Sequence, residues 1–209
     1  MEIITFYSYK GGSGRSSTTL NTLPYLVNVL EANKNSPILL LDMDLDSAGM
    51  TYLLELDKHF QNKDIYDIKD FLKGEESWSE NPAPCLKEHG LYKKFVPVGE
   101  KLGVENEAVV FLGIDDSKNI DNNEMTGTKE EVFNKLRRFC RKNNFSAVVI
   151  DSSAGDQFSA LLSIQTATLV VHCLRATTQF RIGSFNYLYR LKEKSIDKQI
   201  ILLPTVVPN

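Results

Sequence analysis

Residues 9 to 17 read Tyr-Lys-Gly-Gly-Ser-Gly-Arg-Ser-Ser, set between the apolar run Ile3-Ile4-Thr5-Phe6-Tyr7 and a stretch of helical pattern. A strand that runs through three glycines in four residues and out into a helix leaves little choice of local geometry. Without Cβ atoms the backbone can curl so that successive N–H groups point inward, onto an anion at the N-terminus of the following helix. Ser16 then places a hydroxyl where such loops hold Mg²⁺. Against the pattern G-x-x-x-x-G-K-[ST], Gly14 and Ser16 fit, whereas Tyr9 stands at the first glycine and Arg15 at the lysine. Lys10 adds a second cation just upstream.

The 209 residues, 42% of them hydrophobic, suffice for one sizeable core, and we expect one domain over 1–209. A formal net charge of −3 and a pI near 5.7 give no global pull toward nucleic acid or anionic lipid, although a local basic face stays open. Cys85, Cys140 and Cys173 lack C-x-x-C spacing, which argues for a reducing compartment and against a disulfide frame or zinc site. No apolar run reaches membrane-spanning length and no signal-peptide order opens the chain, so the expected location is cytoplasmic.

Short β-branched runs alternate with helical periodicity, the pattern of buried parallel strands joined by right-handed crossovers. The expected fold is α/β: a doubly wound, mostly parallel sheet with helices on both faces. Strands are expected at Ile3 to Ser8, Ile38 to Asp42, Val109 to Ile114, Ala147 to Asp151, Thr168 to Leu174 and Ile200 to Leu203. A first helix spans Ser17 to Glu31, where Pro24 removes a backbone donor and predicts a kink near Leu20. A helix opening on the capping box Thr128 and Glu131 carries Val132, Leu136, Phe139 and Cys140 on one face. Another, Phe180 to Lys194, likewise carries Ile182, Phe185, Leu188, Tyr189 and Leu191, the face expected to pack on the sheet. Residues 57–107 read as an irregular insertion, with a helix at Ile65 to Leu72 and a short strand near Lys94 to Val98.

Two further strings end strands in acid. Leu39-Leu40-Leu41-Asp42-Met43-Asp44 runs straight into carboxylates, and Val148-Val149-Ile150-Asp151 is followed by the small turn Ser152-Ser153-Ala154-Gly155. Ligands bind at strand ends in doubly wound sheets, so these acids are expected to face the glycine loop. Solvated loop aspartates are the plain alternative for the first, and an ordinary strand exit for the second. The order of all three strings favours function. Asp151 reads as an acid that orients metal-bound water, with Gly155 in a turn able to sense a γ-phosphate.

Together the three motifs resemble the ParA/MinD family of dimeric ATPases with a deviant Walker A P-loop. The loop is similar to that family's K-G-G-x-G-K-[ST]-[ST], Asp42-Met43-Asp44 to its D-x-D, and Asp151-Ser152-Ser153-Ala154-Gly155 to the D-S-P-A-G of the MinD branch. The Arg15 form resembles a K-G-G-x-G-R subgroup associated with bacterial conflict or signalling loci. The resemblance implies ATP and Mg²⁺ as cofactors and a homodimeric, slowly hydrolysing switch for a protein partner. It implies that Lys10 reaches a partner's phosphates, that Gly11, Gly12, Ser13 and Gly14 form the cradle, and that Arg15 meets the β- and γ-phosphates. Ser16 would bind Mg²⁺, Ser17 an α-phosphate oxygen, and Asp44 would orient the attacking water. Asp42 would support the metal and Asp151 hold a metal-bound water. Asn209 would touch the base. The family continues past this point with at least one more strand and helix, which implies a fragment or a minimal form.

Arginine offers a planar fork where lysine offers a point charge, so the departure at Arg15 bears on hydrolysis more than on binding. A non-catalytic nucleotide-binding scaffold is therefore the alternative. A metal- or electron-carrying relative would need a cysteine at a dimer-facing loop. His172 and Cys173 lie mid-strand and read as core, and His59 and His89 lack ligand-spaced partners. Trp78 reads as a packing anchor. Arg137, Arg138, Arg141 and Lys142 read as complements to a helix dipole, with a DNA or acidic-partner patch as the sharper alternative.

Overall fold

The computed structural model describes residues 1–61, 67–73, 95–117, 131, 134, 138, 144–175, 177–193 and 198–205. In chain order the elements are β1 (Glu2–Ser8), α1 (Arg15–Val29), β2 (Ile38–Met43), α2 (Gly49–Leu53), α3 (Asp57–Phe60) and α4 (Ile68–Lys73). They continue with β3 (Val96–Pro97), two 3₁₀ turns, β4 (Val109–Leu112), β5 (Ala147–Ala154), α5 (Phe158–Thr166), β6 (Leu169–Arg175), α6 (Thr178–Glu193) and β7 (Gln199–Thr205).

The strands form one sheet in the order β3-β4-β2-β5-β1-β6-β7. Every pairing is parallel except β3 with β4. β2 and β5 are buried almost throughout, and each opens on a continuous apolar run, Ile38 to Leu41 and Ala147 to Ile150, as strands covered on both faces do. β5 lies between β1 and β2, and its register sets Asp151 beside both Phe6 and Asp42. The C-terminal ends of β1, β2 and β5 thus stand side by side.

The core runs from Ile3 and Phe6 through Leu39, Leu40 and Leu41 to Phe111, Val148 and Ile150. α1 lays Arg15, Thr19, Leu23 and Val27 on the sheet, a stripe at four-residue spacing. It begins two residues before the expected Ser17 and continues through Pro24 to Val29. The insertion supplies the expected short strand, two residues long and antiparallel at the sheet edge. The Thr128 capping box, the apolar face of its helix, Arg137, Arg141, Lys142, Trp78, His89, Cys85, Cys140 and Asn209 lie outside the described residues.

One expectation is overturned. Ile182, Phe185 and Tyr189 of α6 do not pack on the sheet; they are 55%, 53% and 65% exposed, while Ser184 and Tyr187 are buried. The cause is Gly183, which brings the helix backbone against the Tyr9 ring and so turns the Gly183, Ser184 and Tyr187 face inward. The Leu191 side chain lies outside the described positions.

Candidate functional site

The loop after β1 folds as its glycines allow. Gly12 and Gly14 take φ of +74° and +76°, the left-handed region that a side chain disfavours. Added Cβ atoms at Gly11 or Gly12 would meet nothing within 4 Å, so open space lies over this stretch of backbone. Gly14 caps α1 with no side-chain cap, and the first intrahelical bond runs from Thr18 N–H to the Gly14 carbonyl at 2.9 Å. The N–H groups of the first turn, from Arg15 to Ser17, are therefore left for a ligand, in the field of the helix N-terminus.

Beneath the loop the side chains converge. Arg15, only 7% exposed, donates from Nε to Asp151 Oδ1 and from Nη2 to Asp44 Oδ2, each at 2.8 Å. Ser16 Oγ donates to Asp151 Oδ2 at 2.6 Å. Both oxygens of the fully buried Asp151 are thus held by residues of the glycine loop and helix start. Burial opposes the Arg15 charge, yet Asp151 and then Asp44 outweigh it and push the guanidinium above its ordinary value. Burial also raises the Asp151 carboxyl; Arg15 and Ser16 oppose that, and we assign Asp151 as the ionised partner of Arg15.

Asp42 has a different task. Its Oδ2 accepts the Thr51 N–H and hydroxyl at 3.0 and 2.9 Å, and its Oδ1 the Asp44 N–H at 3.2 Å. These bonds shape the turn from β2 into α2 and so aim Asp44 at Arg15. Burial, then the neighbouring Asp151 charge, pushes the Asp42 carboxyl up to about 7 against the pull of those donors.

Lys10 is exposed on the lip of a cleft of about 710 Å³ that Gly155, Asp156, Gln179, Asn186 and Arg190 also line. Ser13 is buried and Ser17 exposed. The structure brings Arg15, Ser16, Asp44 and Asp151 into one hydrogen-bonded group, with Asp42 beside it. It does not bring Lys10 or Ser17 into that group.

Four residues that sequence reasoning passed over complete the site. Thr51 holds Asp42. Thr205, at the end of the edge strand β7, donates its hydroxyl to the Ser13 carbonyl and ties the loop to that strand. Ser8 approaches Arg15 Nη1 at 3.5 Å, and Gly183 seats Tyr9. Position at a strand's C-terminal end was the one signal available for Ser8 and Thr205.

The donor set suits Mg²⁺, a hard cation that takes oxygen ligands and retains water. Ser16, Asp151 and Asp44 offer a hydroxyl and carboxylates within one cluster. Among the described residues no three His, Cys, Asp or Glu side chains gather as a preformed metal site. Among the described residues, too, no helix is long and apolar enough to cross a membrane.

No protein-family model matches the chain, and no curated protein matches it. Solved structures do. MinD in complex with MinC, from Aquifex aeolicus, aligns over 97% of this chain and 68% of its own, at 18% identity and a TM-score of 0.67. MinD with Mg-ADP, from Pyrococcus horikoshii, aligns over 97% and 69%, at 18% identity and 0.62. A plasmid partition protein from Borrelia burgdorferi aligns over 97% and 78%, at 17% identity and 0.66. Identity this low speaks for architecture alone, and the chain has the fold of the ParA/MinD-type P-loop ATPases.

Proposed function

We propose that the protein binds ATP with Mg²⁺ at the glycine loop, hydrolyses it slowly, and acts as a homodimeric switch whose nucleotide state a protein partner reads. The observation that carries this reading is the meeting of Arg15, Ser16, Asp44 and Asp151 under a loop whose free amides open outward. The neighbour bound to Mg-ADP and the neighbour bound to MinC support the nucleotide and the partner by analogy of fold.

In this reading the amides of Gly11 to Ser17 bind the phosphate tail, and Ser13 lends its backbone. Arg15 neutralises phosphate oxygens, bidentately where the fork allows. Ser16 would bind Mg²⁺ and Asp151 a metal-bound water, with Asp42 in support through the turn it fixes. Bound Mg²⁺ would supply charge neutralisation for the nucleotide's phosphates. Asp44 orients water, Lys10 reaches from the cleft lip to the phosphates of a second copy, Ser17 meets an α-phosphate oxygen, and Asn209 contacts the base. Residues 1–209 act as one nucleotide-binding domain, and the free, buried Cys173 suits a cytoplasmic setting.

Hydrolysis assays on the wild type, Lys10→Ala and Asp44→Ala test catalysis: both variants are expected to lose turnover, and equal rates in all three remove the claim. Calorimetry with ATP, ADP and GTP, coupled to mass measurement, tests base choice and dimerisation together.

A second reading, a non-catalytic nucleotide-binding scaffold, is favoured by the depth at which Arg15 is engaged with acids. Arg15→Lys separates the two. A large gain in turnover supports the scaffold, and little change supports an arginine-adapted enzyme.

A further inference from the structure

Arg15 does more than replace a lysine. Its guanidinium is turned under the loop, away from the open face of the cradle, and lies among the side chains that would serve a divalent cation. It holds Asp151 Oδ1 and Asp44 Oδ2 at 2.8 Å each, while Ser16 Oγ holds the remaining Asp151 oxygen at 2.6 Å. Asp151 is fully buried and Arg15 nearly so. We propose that Arg15 is a tethered counter-ion that excludes divalent metal from the nucleotide-free site, so that metal and nucleotide phosphate enter only together. The inference rests on the nucleotide-binding reading above and specifies how that site is loaded.

The argument is one of charge balance. A divalent ion arriving alone needs Asp151, whose two oxygens are engaged. To reach them it must push a guanidinium off its buried partners with no other anion to receive it, and an unpaired buried charge is strongly unfavourable. A phosphate arriving alone can draw Arg15 upward, but it then strands Asp151 and Asp44 unneutralised beside Asp42, with a further anion above them. When both arrive, the exchange is balanced: guanidinium passes from carboxylate to phosphate, and the carboxylates pass from guanidinium to metal. Each ligand prepares the site for the other, which is positive coupling in the thermodynamic sense. A lysine ammonium, a point charge on a flexible stem, holds two carboxylates less rigidly than a planar fork that addresses both at once.

The test is Mn²⁺ binding followed by loss of the free-ion electron paramagnetic resonance signal, on the full chain without nucleotide. Arg15→Gln is compared with wild type, circular dichroism melts verifying that the variant is folded. The variant is expected to bind one Mn²⁺ at least about tenfold more tightly than wild type, within the usual range of coupling between sites. In wild type, a non-hydrolysable ATP analogue is expected to raise Mn²⁺ affinity above that of the free analogue. Equal Mn²⁺ affinity in the two nucleotide-free proteins overturns the proposal. Should Arg15→Gln fail to fold, wild type decides alone: Mn²⁺ bound by the nucleotide-free protein as tightly as in the presence of analogue overturns it. If the analogue fails to bind in any arm, the nucleotide reading falls, and the Mn²⁺ comparison still decides the exclusion.

Discussion

The ring of Tyr9 lies against the backbone of Gly183, so close that a methyl at that glycine would fall 2.3 Å from the ring's Cε1 and 2.5 Å from its Cδ1. Tyr9 thereby joins the start of the glycine loop to α6, and its ring also tilts against Tyr187 at 6.0 Å. Tyrosine at the first loop position, which the sequence presents as a departure, has a glycine to receive it on another element.

Gly183→Ala therefore has opposite effects in two backgrounds. With Tyr9 present, the methyl forces the ring outward and we expect a loss of about 1 kcal/mol, as for overpacking that one ring can partly relieve. With Tyr9→Ala the clash is absent, and the better helix propensity of alanine is expected to stabilise by about 0.5–1 kcal/mol. Urea denaturation of the four proteins measures the coupling directly. The same sign in both backgrounds would remove the contact's energetic role.

The two acids on Arg15 are expected to differ in weight. Asp151 is 0% exposed and Asp44 18%. Asp151→Asn leaves the buried guanidinium with one partially wet partner and is expected to cost about 3 kcal/mol, as when one member of a buried pair is removed. Asp44→Asn, nearer to solvent, is expected to cost about 1 kcal/mol or less. Arg15→Met combined with Asp151→Asn should recover most of the larger loss, because the one charge left without its partner is Asp44, which reaches solvent. Chemical denaturation without nucleotide reads all three; equal losses from the two asparagine variants would contradict this division.

How much of this was legible in the sequence follows from range. The glycine loop and the acids at Asp42, Asp44 and Asp151 declare themselves locally, because a strand run and a turn residue are enough to place them at a strand end. The orientation of Arg15 does not, since a phosphate above and a carboxylate below are equally open to a guanidinium until Asp151, far along the chain, is brought beneath it. α5 escaped notice because Ser159, Ala160, Leu162, Ser163, Ile164 and Thr166 are all buried, which erases the amphipathic stripe that marks a surface helix. The reverse error arose in α6. Its most apolar stripe, Ile182, Phe185 and Tyr189, faces out, because a glycine and a ring from another element set the rotation. α2 is five residues long and rests on the bond from Thr51 to Asp42, a contact that no local pattern encodes.

Thr205 ties the last described strand to the loop. Its hydroxyl reaches the Ser13 carbonyl and, at 3.1 Å, the Leu174 carbonyl. Thr205→Val keeps the shape and removes the donor, so the expected cost is about 1 kcal/mol of stability, the worth of one such hydrogen bond. If the loop must be held in place to receive phosphate, nucleotide affinity should fall about fivefold as well. Hydrogen exchange at the amides of residues 11–17 is expected to quicken. Exchange unchanged from wild type would show that Thr205 does not hold the loop.

His172 supplies a pH dependence whose sign is fixed by its surroundings. It is fully buried in β6, neither ring nitrogen has a hydrogen-bond partner among the described residues, and the Tyr7 ring meets it edge-on at 5.2 Å. Burial lowers its pKa from 6.5 to about 4. Between those values the unfolded chain takes up a proton that the folded chain refuses. Stability from this residue is therefore complete above about pH 6.5 and is lost as the pH falls toward 4, by roughly 3 kcal/mol at most. Asp42 works the other way: its carboxyl, pushed up to about 7, keeps a proton in the folded state that the unfolded chain gives up, so its share declines as pH rises from 3.8 toward 7. The two slopes oppose each other, and a wild-type curve alone cannot assign either. His172→Leu isolates the first, since the Asp42 share is common to both proteins and cancels in the difference. Urea midpoints at pH 4.5 and 7.5 are expected to show wild type losing more stability on acidification than the variant. Parallel pH curves would mean that the imidazole finds a partner for its proton in the folded state.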